Sequence, residues 1–140
     1  MDESIIRACV LFFLVTLEDE NLVYAASEAA VNSARRRKFQ NESENLYSLV
    51  VSEATKLYLS KRYRLLGGAR PLEIDYPPSK ELLEEIQRLR AQIPDRLFIS
   101  FVWSEVAKAP RHEIANGLGI TAGTVDHRSY EVLKIWAEAQ

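Results

Sequence analysis

The stretch HEIANGLGITAGTV at residues 112–125 decides the fold of the C-terminal part of this chain. Gly119 permits the positive φ angle that is needed where a helix stops abruptly, and Thr121 carries a hydroxyl that can cap the next helix. Ile114 and Val125 are spaced to pack against each other across the turn. The pattern predicts a short helix, a tight turn and a second helix. This is the spacing of a helix-turn-helix, whose second helix enters the major groove of DNA.

The predicted second helix supplies the candidate DNA contacts. Val132, Leu133 and Trp136 are expected to continue its buried face, and base edges are usually read from the first turns of such a helix. The predicted DNA-binding residues are Thr121, Ala122, Gly123, Thr124, Asp126, His127, Arg128, Tyr130 and Lys134. The alternative is a corner of two helices with glycine in its turn and no DNA-reading role.

Outward from this motif, the C-terminal half reads as four helices. Capping residues or prolines mark their starts, at Ser79, Pro94, Pro110 and Thr121. Gly117 and Gly119 are predicted to close the third helix.

The N-terminal half reads as three helices. Residues 5–17 are apolar almost all round, which predicts a helix buried on most faces. A second helix is predicted from about residues 16–20 to the basic run at 35–38, and a third spans about residues 42–66. No stretch alternates with a period of two. We therefore predict an all-α protein.

Breaker residues are concentrated between the two halves. Gly67, Gly68, Pro71, Pro77 and Pro78 fall within a dozen positions that lack helical periodicity. Glycine and proline at this density are typical of a linker or an extended strap. The sequence therefore predicts two small helical domains, 1–66 and 80–140, joined by a Gly/Pro-rich linker at 67–79.

Bulk composition excludes several classes of protein. The 140 residues carry a net charge of −2, so DNA contact must come from a local patch. The apolar run at 5–17 follows acidic residues and is too short to span a bilayer, so no signal peptide and no membrane partner are expected. Cys9, the only cysteine, lies within that run and is expected to be a buried apolar residue. One cysteine allows no disulfide within the chain, which fits the cytoplasm.

Two basic clusters have an alternative reading as nucleic-acid contacts. The default interpretation of Arg35, Arg36, Arg37 and Lys38 is a solvated helix end, and the alternative is contact with phosphate or RNA. The second cluster interleaves cations with an aromatic ring, as single-strand binders do. It consists of Lys61, Arg62, Tyr63 and Arg64.

The sequence contains no motif that indicates catalysis. The two histidines, His112 and His127, lie in the predicted helix-turn-helix without the spacing of a metal site. Phosphate-binding loops, nucleophile elbows and paired carboxylates are absent from the sequence. We therefore expect no enzyme, no cofactor and no metal.

A longer match extends the helix-turn-helix. Residues 93–98, 113–115 and 118–125 resemble promoter-recognition region 4 of bacterial RNA polymerase sigma factors, most closely the extracytoplasmic-function type. The N-terminal half resembles region 2 of that family in helical order and in its basic-aromatic helix near residues 58–66. The resemblance implies two small domains, one docking on polymerase and one reading promoter DNA. Asp126 stands where the family usually has a basic residue.

These observations lead to one main expectation with two alternatives. From Arg90 onward six basic residues are balanced by six acidic ones, so the C-terminal half is expected to bind DNA weakly by itself. The expected partners are therefore double-stranded promoter DNA together with RNA polymerase core or another transcription protein. A sigma-like module that binds polymerase or another regulator without reading DNA is the first alternative. The second is a regulator that forms a homodimer through the apolar N-terminal helix.

Overall fold

The computed structural model describes residues 3–67 and 78–139, and within these ranges the chain forms helices and no strand. This confirms the predicted all-α class. The α-helices of the described ranges are α1 (Glu3–Thr16), α2 (Val23–Gln40), α3 (Leu46–Ser60), α4 (Lys80–Arg90), α5 (Asp95–Phe101), α6 (Arg111–Leu118) and α7 (Ala122–Ala139). Short 3-10 turns at Glu20–Leu22 and Arg62–Leu65 and a π-helical turn at Val102–Val106 lie between them.

Helix α1 is enclosed on all sides from Ala8 onward, whereas its start is largely exposed. Every residue from 8 to 17 is buried, as the apolar run predicts. Thr16 is the one hydroxyl in this stretch, and its Oγ1 donates to the Phe12 carbonyl at 2.8 Å. The hydroxyl is thereby satisfied inside the helix, because a buried polar group without a partner is costly.

The second and third helices differ from prediction at their ends. Asp19 accepts a hydrogen bond from the Asn21 amide and starts a 3-10 turn, so α2 begins only at Val23. Helix α3 is shorter than the predicted 42–66 because Asn45 caps it at one end and Lys61, with a φ angle of 60°, stops it at the other. A left-handed residue ends the helical hydrogen-bond pattern, and a 3-10 turn follows.

The two halves of the chain meet in one hydrophobic core. The ring of Phe12 in α1 stacks on Trp103 in the π turn, with centroids 4.2 Å apart and planes at 6°. The Trp103 indole Nε1 donates to Thr55 Oγ1 of α3 at 3.1 Å. The division into two domains stays a prediction, and most of the predicted linker, at 68–77, lies outside the described residues.

The π turn after α5 was not predicted. The sequence pattern predicts a regular helix through Val106, but the Ala107 amide donates to the Val102 carbonyl, five residues back, at 2.8 Å. One extra residue per turn shifts the helical register and produces a bulge. The turn carries Trp103, which is fully buried between the two halves.

Candidate nucleic-acid interface

The predicted corner is formed by α6, a tight turn and α7. Gly119 has φ 71° and ψ 34°, and the next amide, of Ile120, donates back to the Ala115 carbonyl at 2.9 Å. This pairing ends α6 in the manner of a glycine C-cap. The Thr121 hydroxyl accepts from the Thr124 amide at 3.1 Å and fixes the start of α7. The helix, the turn and the second helix therefore lie where the sequence predicts them.

The inner side of the corner follows the predicted pattern with one correction. Ile114, Val125 and Val132 are fully buried. Leu133 was predicted to be buried with them, but 45% of its surface is exposed. The buried stripe of α7 runs through positions 125, 129 and 132, and one residue further along a helix points about 100° away. Ser129 is the middle residue of this stripe, and its Oγ has no hydrogen-bond partner within the described residues.

The outer side of α7 presents an exposed stripe. Its members recur three or four positions apart and so share one helical face. The α7 stripe consists of Gly123, Asp126, His127, Tyr130 and Lys134, all exposed. It extends for roughly 16 Å along the helix axis, at about 1.5 Å per residue.

The other predicted DNA contacts flank this stripe. Thr121 is exposed at the turn, while Ala122, Thr124 and Arg128 are half-buried. The structure thus places all nine predicted DNA-contacting residues on or directly before one helix. Five of them share its outer face.

One ion pair and one contact between a histidine and a carboxylate involve side chains of this surface. The Arg111 Nη2 of α6 lies 3.0 Å from Asp126 Oδ2 of α7, and His127 Nε2 lies 2.8 Å from Glu131 Oε1. Residues 111–139 contain three arginines and lysines against four acidic residues, a formal charge of −1. The surface is therefore an exposed helical face without a surplus of positive charge.

Gly117 connects the corner to the rest of the molecule. It lies inside α6, where a Cβ atom would come within 2.6 Å of the Ser48 carbonyl oxygen and 2.7 Å of the Val51 side chain. Real Cβ atoms essentially never approach other atoms so closely. The predicted role of Gly117 in closing the helix is wrong, because Gly119 alone ends α6. Gly117 instead permits α6 to approach α3.

The first basic cluster is partly occupied by structural contacts. Arg37 Nη1 lies 3.4 Å from Glu53 Oε1 and donates to Ser52 Oγ at 3.3 Å. Lys38 Nζ donates to the carbonyl oxygens of Glu42 and Glu44 in the loop between α2 and α3.

The remaining members of that cluster are more accessible. Arg35 and Arg36 are exposed, and Arg36 donates to Ser33 Oγ at 3.0 Å. The cluster therefore stabilises the α2–α3 connection with two of its cations and presents the other two to solvent.

The second basic cluster surrounds a buried ring. Tyr63 is only 9% exposed, and the guanidinium carbon of Arg64 lies 5.9 Å from its ring centroid. Lys61, Arg62 and Arg64 are exposed. Most of the ring surface is packed against the core, so this segment offers a ligand its cations and little aromatic surface.

Other chemistry is sparse within the described residues. No group of three or more His, Cys, Asp or Glu side chains there could hold a metal ion. Cys9 is buried as predicted, and burial raises the pKa of its thiol to about 12. None of the helices in residues 3–67 and 78–139 is long and apolar enough to cross a membrane.

Comparison with known proteins yields no relative for this chain. No family model, no curated protein and no solved structure matches it. The functional argument therefore rests on the residues and on the geometry described above.

Proposed function

We propose that this protein is a sigma-factor-like transcription regulator that binds promoter DNA through α7. The single observation that supports this best is the α6–α7 corner. A glycine in the left-handed region and a threonine cap set the angle and the start of α7, and its outer face is free of the core. A helix presented in this way fits the major groove, which admits one α-helix.

The proposal includes RNA polymerase core as the partner on promoter DNA. Lysine and arginine contacts to phosphates supply nearly all of the non-specific affinity of DNA-binding proteins. With a formal charge of −1 over residues 111–139, the corner lacks that contribution. A second protein that holds the corner near the duplex would compensate for this, in keeping with the resemblance to sigma region 4.

A second candidate function is a sigma-like interaction module that binds polymerase or another regulator without DNA. The Arg111–Asp126 ion pair favours this second function, because Asp126 neutralises the Arg111 cation beside the first turn of α7. An acidic residue at that place also repels phosphate. Such a surface suits a protein partner with mixed charges better than a polyanion.

Salt-dependent binding of a fluorescent duplex tests the DNA-reading proposal. Lys134 is the exposed cation of the α7 stripe, so Lys134→Ala should lower the slope of log affinity against log salt by about 1. Arg88→Ala in α4 is the matched control, since this exposed cation lies outside the corner and should leave the slope unchanged. Equal slopes for the wild type and both variants would refute contact between α7 and phosphates.

The variant Asp126→Asn separates the two candidate functions. It removes a negative charge from the first turns of α7 and releases Arg111, so a DNA-reading helix should gain affinity by roughly fivefold to tenfold. Both side chains of the pair are more than half exposed, so the fold should be unaffected. Unchanged DNA affinity, with polymerase binding retained, would favour the interaction module.

A further inference from the structure

A cleft lies between the two halves of the chain, away from the α7 stripe. Its volume is about 560 Å³, within the range of roughly 300–1,000 Å³ typical of small-molecule sites. The loop after α1, the end of α3 with its following 3-10 turn, the end of α4 and the start of α5 form its walls. Tyr58 and Tyr63, both nearly buried, contribute aromatic surface to the lining.

Arg90 is held in a fixed position in this cleft. Its Nη1 donates to the Thr16 carbonyl oxygen at 3.0 Å. Its guanidinium carbon lies 5.3 Å from the ring centroid of Tyr58 and 5.6 Å from that of Phe98. These contacts position the guanidinium before any ligand arrives, and a planar guanidinium suits a carboxylate because it can donate two parallel hydrogen bonds.

Among the described residues, the charged side chains that line the cleft are balanced in sign and form no ion pair. They comprise the carboxylates of Glu18, Asp19 and Asp95 and the cations of Lys61, Arg64 and Arg90. Within residues 3–67 and 78–139, none of these carboxylates lies within 4.0 Å of a cationic nitrogen. Burial raises the pKa of the Tyr58 hydroxyl, and the neighbouring Arg90 guanidinium acts on it in the opposite direction. A cleft of this kind is complementary to a guest that carries one charge of each sign.

We propose that this cleft binds a small zwitterion of the α-amino acid or short peptide type. The carboxylate of the ligand binds Arg90, assisted by Lys61 and Arg64. Its ammonium group is held by the lining carboxylates of Glu18, Asp19 and Asp95. This proposal is independent of DNA binding by α7, because none of the residues involved belongs to the α6–α7 corner.

Isothermal titration calorimetry of the full-length protein tests the proposal. The probes are the free L-amino acids and glycylglycine, each at concentrations up to about 10 mM, which detects affinities near 1 mM. For the tightest amino acid, the N-acetyl derivative lacks the ammonium charge and the methyl ester lacks the carboxylate. Each derivative should bind roughly tenfold more weakly than the parent.

Two results would overturn the proposal. One is that none of these zwitterions binds. The other is that either derivative binds as tightly as the parent amino acid, which would identify a site for a simple anion or a simple cation.

Matched variants locate the binding in the cleft. Asp95→Asn and Lys61→Gln each remove one lining charge and should each weaken binding roughly tenfold. Glu20→Gln and Arg62→Gln are the controls, since these exposed side chains adjoin the lining residues in sequence but do not line the cleft. Equal affinity in the wild type and both lining variants would place the bound ligand elsewhere and contradict the proposal.

Discussion

The close approach of α6 to α3 gives the sharpest prediction about how the corner is positioned. Replacing Gly117 by alanine puts a Cβ atom 2.6 Å from the Ser48 carbonyl oxygen and 2.7 Å from Val51 Cβ. The first of these neighbours is backbone inside α3 and cannot swing aside. The helices must therefore separate, and α6 carries the corner with it.

The expected cost follows from two opposing terms. Overpacking a core typically destabilises a protein by about 1–3 kcal/mol, and a backbone clash belongs at the upper end of that range. Alanine in place of a helical glycine recovers up to about 1 kcal/mol. We expect Gly117→Ala to lower the free energy of unfolding by about 2 kcal/mol, and the melting temperature by roughly 6–10 °C for a chain of this size.

Urea unfolding followed by circular dichroism measures this change, and α7 supplies a control. Gly123 is exposed and helical, and the nearest atom to a Cβ placed there is Thr121 Oγ1 at 3.9 Å. Gly123→Ala should therefore leave stability unchanged or raise it by up to about 1 kcal/mol. If Gly117→Ala proves as stable as the wild type, the close contact between α6 and α3 is refuted.

Three further predictions concern the turn, the core and the thiol. Gly119→Ala should lower the free energy of unfolding by about 1–2 kcal/mol in urea titrations, because alanine is strained at φ 71°; no loss would contradict the left-handed turn. Thr55→Val leaves the buried Trp103 indole N–H unpaired and should cost about 1–3 kcal/mol, whereas a neutral effect in thermal melts would argue against that hydrogen bond. The Cys9 thiol has a pKa of about 12 in the folded state, against 9.0 in the unfolded chain. The free energy of unfolding should therefore fall as the pH rises from 9.0 to about 12. The fall, up to about 1.4 kcal/mol per pH unit, should be smaller in Cys9→Ala.

Features that depend on local sequence were predictable. The caps at Ser79 and Thr121 and the turn at Gly119 are set by one side chain and the backbone next to it. The burial of α1 from Ala8 onward follows equally from its apolar run, since such a helix has no face suited to water.

Features that depend on contacts across the chain were not predictable. Gly117 resembled a second helix stop, because nothing near it in sequence reveals that α3 lies against it. The hydrogen bond between Trp103, which lies in the π turn, and Thr55 joins residues 48 positions apart. The Arg111–Asp126 ion pair was not predictable for the same reason, because its partners lie on different helices and are brought together only by the corner.

The charged clusters show the same difference between features set by local sequence and features set by contacts across the chain. A run of four cations at 35–38 indicated an exposed basic surface, but two of them bond to the following loop and to α3. The charged residues of the cleft around Arg90 come from four separate segments, so no local motif predicted the cleft.

Selection of bound sequences from a randomised DNA duplex library tests the central claim most directly. The protein is used alone and together with bacterial RNA polymerase core, and core without the protein is the control. The account predicts that a common sequence is enriched in the presence of both proteins, more strongly than with either one, and that the enrichment is lost with a variant of Tyr130 and Lys134 in the α7 stripe. Absence of any common sequence in all arms would contradict a DNA-reading role for the corner.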